Sequence, residues 1–210
     1  MSEAKITIDS ASSVATLELY PDITTEALEE VLEKLHGWRA AGQLGSVCIH
    51  CNGKKYPTAS YSKLISNGAF FEGLRAIGVP IAASVTGYLE GPMWLAVMNA
   101  DYRVGSNATV FCCPPYGKPV HYYAHLGQEP SKQLACAMGH WSALKALNVG
   151  VIMSSQPRPE DAKTEAFEFA KRVQRFPNLT MRRPLLGPPD SVIGKKTCYR
   201  RMNLDGPSVF

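Results

Sequence analysis

Few side chains in this sequence combine a reactive type with an informative spacing. His121 and His125 lie four apart in a stretch, about Val120 to Leu126, whose pattern predicts a helix, so both fall on one face. Imidazole is the natural proton carrier near neutral pH. Lys54 and Lys55 follow Asn52-Gly53 at the end of the apolar run Ser46 to His50, which reads as a strand. Ligands commonly sit at that end of a sheet, so the two ammonium groups either meet phosphates as point charges or are solvated loop lysines. Glu90 is the carboxylate of a glycine-flanked turn between Gly87 and Gly91, as a base or as a solvent-facing loop residue. Cys48 and Cys51 have a metal-like spacing, but residues three apart on a strand face opposite sides and no second pair matches. Cys112 and Cys113 also diverge if extended. No metal site is expected, and the cysteines read as buried structural residues. Neither a Gly-x-Gly-x-x-Gly run nor a phosphate-loop signature occurs.

The elements that must position these residues alternate between strand and helix. Lys5 to Ile8 and Val14 to Leu19 alternate and read as a hairpin around the turn-rich Asp9 to Ser13. Thr24 or Thr25 caps a helix running to about Ala41, with Ala27, Leu28, Val31, Leu32, Leu35 and Trp38 at helical spacing. Asn52-Gly53 is a turn signal. Leu64 to Ile77 is a weaker helix and Pro80 to Val85 a buried strand. Gly87 and Gly91 bracket a tight connection, and Pro92 suits the first turn of a helix continuing from Met93 to Ala100. Tyr102 to Val104 and Thr109 to Phe111 are strands. Short helices follow at about Val120 to Leu126, Ser131 to Met138 and Ser142 to Leu147, then a strand at Gly150 to Met153. A helix over Pro159 to Arg175 carries the stripe Ala162, Ala166, Phe169, Ala170 and Val173. The fold class expected is α/β, with neighbouring strands connected by right-handed crossovers.

A chain of 210 residues with 45% hydrophobic and 19% charged residues builds one sizeable core and is not disordered throughout. Its apolar runs are too short to span a bilayer, and its first residues lack the apolar stretch of a signal peptide. A cytoplasmic location with reduced cysteines is expected. The formal net charge is +4, yet residues 1–170 hold 13 Lys+Arg against 16 Asp+Glu, whereas residues 171–210 hold 9 against 2. We read residues 1–176 as the core and 177–210 as an extended, basic, Pro/Gly-rich tail. That tail is a solvated surface or faces an anionic partner. No recognition motif supports nucleic-acid binding.

The order of residues in PIAASVTGYLEGPMWLAVMNADYRV, Pro80 to Val104, resembles the central segment of the crotonase (enoyl-CoA hydratase/isomerase) superfamily. The interval from Gly87 to Asp101 matches the usual one without a gap. SVCIHCNGKKYPTASYSKL, MGHWSALKALNVGVI and Thr164 to Arg183 resemble further blocks of that family in the same order, so the resemblance covers about residues 5 to 185. It implies a ββα superhelical spiral in one domain, usually assembled as trimers or hexamers. It implies substrates that are acyl thioesters of coenzyme A or of an acyl carrier protein, with no separate cofactor: coenzyme A or phosphopantetheine is part of the substrate. Lys54, Lys55 and Lys63 would meet its phosphates.

The family's shared chemistry stabilises an enolate at the thioester carbonyl between two backbone N–H donors. The resemblance places the first at Ser60. The second falls within Gly91-Pro92-Met93, where the matching residue is Pro92, which has no N–H. Either the donor moves to Gly91 or Met93, or the hole is lost. The family's glutamates match Leu95 and Pro114 or Pro115, so hydration by paired carboxylates is not expected. Decarboxylating members, including those serving polyketide β-branching, dispense with these glutamates and need one proton donor. The candidates here are Tyr61, Lys63, Tyr116, His121 and His125, with Glu90 as a relocated base. The alternative is a catalytically dead thioester-binding or assembly subunit.

Overall fold

The computed structural model describes residues 5–20, 23–53, 68–89, 93–112 and 140–174. The hairpin forms as its alternation predicts: β1 (Lys5–Asp9) pairs antiparallel with β2 (Val14–Leu19). Helix α1 (Thr25–Ala40) follows, capped by the Thr24 hydroxyl, which accepts from the Ala27 N–H at 3.2 Å. Strands β3 (Ser46–Gly53), β4 (Ile81–Leu89) and β5 (Tyr102–Ser106) run parallel to β2, separated by α2 (Gly68–Ala76) and α3 (Met93–Asn99). Short strands β6 (Val110–Cys112) and β7 (His140–Ser142) come next. They precede α4 (Ala143–Asn148), β8 (Ser154–Gln156) and α5 (Pro159–Val173). The large sheet has the order β1-β2-β3-β4-β5-β8, while β6 joins the C-terminal end of β4 and β7 joins β6. The chain is a mixed α/β structure, as its alternation predicts.

Period-2 alternation gives the central strands two different faces. On one, Leu17, Val47, Ile49, Cys51, Ile81, Ala83 and Val85 are buried in one core cluster with Leu28, Val31 and Leu35 of α1, Leu74 of α2, and Ala96 and Val97 of α3. On the other, Val14, Cys48, Ala82 and Val104 meet Ala162, Ala166 and Ala170 of α5. Alanines at i, i+4 and i+8 form a smooth ridge, which lets α5 lie close on small strand residues. The Ser46 hydroxyl donates to the Ala170 carbonyl at 2.9 Å and fixes that approach.

Several boundaries depart from the sequence reading. Asn52-Gly53 is not a turn. Both residues lie in β3, paired with Thr86 and Gly87 of β4. Gly87 is likewise inside β4, with φ +71°, rather than at the edge of a connection. The reason is steric. A Cβ on Gly53 would fall on the Tyr88 carbonyl, and a Cβ on Gly87 would fall on the Gly53 carbonyl. Glycine serves here for close backbone approach. Beyond this crossing β4 changes partners: Ala82 to Val85 pair with β5, but Tyr88 and Leu89 pair with Val110 and Phe111 of β6. Thr109 repairs the ladder at the bend, donating to the Val85 carbonyl at 2.8 Å and accepting the Ser106 N–H at 3.0 Å.

The expected strand at Gly150 to Met153 is a turn leading into β8 at Ser154, with Gly150 at φ +80°. Its buried apolar residues, Val151 and Ile152, pack in the core without joining the sheet. Arg103 holds this turn, donating to the carbonyls of Val151, Ala100 and Gly150 at 2.8, 2.9 and 3.3 Å. Strand β7 was not expected; its alternation spans only three residues. The helices expected at 120–126 and 131–138 and the tail at 177–210 lie outside the described residues. Gly87→Ala is expected to lower the unfolding free energy by about 2 kcal/mol or more, because it forces a side chain into both a left-handed conformation and a carbonyl. Gly37→Ala, on the open flank of α1 with nothing within 4 Å, should raise it by up to about 1 kcal/mol. Urea denaturation followed by circular dichroism checks both.

Candidate functional site

The C-terminal ends of β3 and β4 lie side by side, held by the glycine crossing, and α3 begins at Met93 just beyond the end of β4. Both segments that carry the expected oxyanion donors depart from this place. The segment with Ser60 leaves β3 after Gly53, and the segment with Gly91 leaves β4 after Leu89. Ser60, Tyr61, Lys54, Lys55, Lys63, Glu90, Gly91, Pro92, Pro114, Pro115, Tyr116, His121 and His125 all lie outside the described residues. Leu95 belongs to α3.

One reactive grouping among the described residues stands at these strand ends. Cys112 of β6 and His140 of β7 are direct cross-strand partners, so their side chains share a face. The His140 Nδ1 lies 3.2 Å from the Cys112 Sγ. The Tyr88 ring, on the same face through its pairing with Val110, meets the imidazole edge to face with centroids 6.4 Å apart. Cys112 is 5% exposed, whereas His140 is exposed. Trp141, which points the other way, is buried against the core, and the Lys145 ammonium lies 4.4 Å from its ring centroid. The sequence reading missed this pair. Its signal was faint: Val110 and Cys112 alternate with Phe111, but only the β6–β7 register brings position 140 beside position 112.

A second polar grouping lies on the other face of the large sheet. Glu18, His50 and Ser84 are in register across β2, β3 and β4. The His50 Nδ1 is 2.7 Å from the Ser84 hydroxyl, and Cys48 Sγ is 3.9 Å from Nε2. The order carboxylate, imidazole, hydroxyl resembles a nucleophile relay, but the geometry denies that role. Ser84 is fully buried and His50 is 6% exposed. The Glu18 carboxylate is engaged by the Asn52 amide and by Lys163 of α5, whose Nζ is 3.5 Å away. Burial lowers His50 to a pKa of about 4, with Lys163 adding to the shift and Glu18 opposing it. Burial raises Cys51 to about 12 and the Cys48 thiol well above its usual range, Glu18 contributing to both. Both thiols therefore stay protonated at neutral pH. Cys48 and Cys51 face opposite sides of β3 in separate core clusters, as strand alternation predicts. A third grouping also belongs to the α5 interface. The Tyr102 hydroxyl donates to Glu165 at 2.5 Å and the Tyr102 ring stacks on Phe169, while Glu165 also accepts from Ser154 and Gln156. Burial first, and then the bond to Glu165, raises Tyr102 to about 12.

With the geometry established, the comparisons with known proteins bear on fold. No protein-family model matches the sequence, and no curated protein matches it. Solved structures do. An enoyl-CoA hydratase/isomerase from Pseudoalteromonas atlantica superposes with a TM-score of 0.72 at 16% identity, covering 96% of this chain and 87% of its own. ThnE from S. clavuligerus gives 0.71 at 16% identity, covering 93% and 99%. An enoyl-CoA hydratase from Mycobacterium marinum gives 0.70 at 17% identity, covering 86% and 96%. The chain has the crotonase fold, as the order of its sequence blocks implies. No helix among the described residues is long and apolar enough to cross a membrane.

The buried imidazole makes stability pH-dependent. The folded chain keeps His50 neutral down to about pH 4, whereas the unfolded chain protonates it near 6.5. The contribution is full above about pH 6.5 and is lost as pH falls from there toward 4, by up to about 3 kcal/mol. His50→Gln should flatten stability across that window; urea titrations at pH 7.5, 6 and 5 on both proteins test it.

Proposed function

We propose that this chain acts on an acyl thioester of coenzyme A or of an acyl carrier protein, stabilising an enolate at the thioester carbonyl between main-chain N–H donors near Ser60 and Gly91. The observation that supports this most is the adjacency of Gly53 and Gly87 at the C-terminal ends of β3 and β4, next to the start of α3. Two chain segments that spring from neighbouring strand ends are what converging donors require, and the N-terminal end of a helix favours a developing negative charge. Lys54 and Lys55 follow the same strand end and suit the phosphates of the carrier, with Lys63 further along the segment.

The residue types favour decarboxylation or isomerisation over hydration. Leu95 and Pro114 or Pro115 occupy the positions where paired glutamates would activate water, and neither type transfers a proton. An enolate generated by loss of carbon dioxide needs only one proton, which Tyr61, Lys63, Tyr116, His121 or His125 supplies; Glu90 is the relocated base for an isomerisation. We place the protein in the cytoplasm as a trimer or hexamer, with an acyl carrier protein as a donor of substrate. Pro92 favours a second reading: a proline at the second donor position removes an N–H, and a chain that binds thioesters without turning them over serves as an assembly subunit.

Assays of the purified chain against glutaconyl-, methylglutaconyl- and crotonyl-coenzyme A separate the two. Carbon dioxide release or double-bond migration, with hydration of crotonyl-coenzyme A at least about a hundredfold slower, is the expected outcome. Calorimetric binding of the thioesters with no turnover supports the assembly reading, and absence of binding contradicts both.

A further inference from the structure

We propose that Cys112 and His140 form a nucleophile pair that takes an acyl group from a thioester as a covalent acyl-cysteine; this deepens the thioester reading above and rests on it.

The pair is built by register. Cys112 and His140 are opposite one another on antiparallel β6 and β7, so their 3.2 Å contact is set by the backbone ladder and not by the reach of a long side chain. Strand β6 is anchored in turn by Phe111, buried against the core and paired with Leu89. Ser142, at the other end of β7, caps α4, accepting the Lys145 N–H at 3.3 Å. Both partners are therefore held from outside the pair. Tyr88 braces the imidazole edge-on from β4. His140 itself is exposed.

Location gives the pair a purpose that the other cysteines among the described residues lack. Cys48 and Cys51 are buried in the two cores and held as thiols by burial. Cys112 instead stands at the end of β6, one residue past the Leu89–Phe111 pairing and beside the strand end from which the Gly91 segment departs. A thiol beside an imidazole is the arrangement that activates sulfur for attack on a carbonyl. The step balances without an oxidant. The Cys112 S–H proton passes to His140 Nδ1 and the thiolate adds to the thioester carbonyl carbon. The bond from that carbon to the carrier sulfur then breaks, and the leaving carrier thiolate takes the proton back from His140. A thioester on the carrier becomes a thioester on Cys112.

The test uses the full chain and acetyl- and crotonyl-coenzyme A. After an acid quench, intact-mass spectrometry should show a gain of one acyl mass, removed by neutral hydroxylamine and mapped by fragmentation to Cys112 rather than Cys113. Cys112→Ser should abolish the adduct, and His140→Asn should slow its formation by about tenfold or more while circular dichroism and melting remain native. Alkylation of Cys112 by iodoacetamide against pH should show a thiolate inflection below the ordinary thiol range in the wild type, returning to that range in His140→Asn. Acylation mapped to another residue, or acylation unchanged by His140→Asn, overturns the proposal. If the thioesters bind or turn over at the same rate in Cys112→Ser with no adduct in the wild type, the pair is not the nucleophile and the thioester reading stands. If the inflection depends on His140 but no thioester binds or acylates, both the proposal and the thioester reading fall.

Discussion

The backbone contact between Gly53 and Gly87 is the constraint from which the other features follow. Two carbonyls occupy the space where side chains would stand, and Gly87 takes a left-handed conformation that other residues resist. That lets β4 turn away from β5 and pair with β6, so one strand serves two ladders. The bend brings the ends of β3 and β4, the start of α3, and the Cys112–His140 pair to the same side of the molecule. Thr109 completes the bend by accepting and donating the bonds that the interrupted ladder leaves open.

The two faces of the large sheet then divide the work. The face toward α1, α2 and α3 is apolar apart from the buried Arg103, whose guanidinium is taken up by main-chain carbonyls, and the burial of that face supplies most of the driving force for folding. The face toward α5 carries Glu18, His50, Asn52 and Ser84, with His50 paired to Ser84 and Glu18 to Asn52 and to Lys163 of α5, beside an alanine ridge. Buried polar groups with partners cost little, whereas removing one partner strands the other. This cluster fixes how α5 docks, and burial removes His50 and Ser84 from chemistry. The reactive pair on the small sheet differs in its exposed imidazole, which stands beside a buried thiol at a strand end.

Much of the fold was legible because periodicity and caps carry it. The β1–β2 hairpin, α1 with its Thr24 cap, and α5 with Ala162, Ala166 and Ala170 all follow from local spacing. Asn52-Gly53 misled because turn-forming residues also serve where two backbones touch, and only the partner strand reveals which applies. Val151 and Ile152 misled because burial alone does not place a residue in a sheet; the Arg103 side chain takes the carbonyls that a strand would pair. Strand β7 and the pairing of positions 112 and 140 depend on a register between segments 28 residues apart. Nothing in local composition encodes that. The donors expected at Ser60 and Gly91 came from the order of family-like blocks, and the strand ends that carry their segments stand side by side.

The central claim is that a thioester carbonyl is held at the ends of β3 and β4. A crystal structure of the full chain with a non-cleavable thioether analogue of an acyl-coenzyme A tests it most directly. The expected result is a carbonyl oxygen within hydrogen-bonding distance of two main-chain N–H groups, one on the segment that follows Gly53 and one on the segment between Leu89 and Met93. An acyl group bound elsewhere, or an oxygen met by side chains alone, would contradict it.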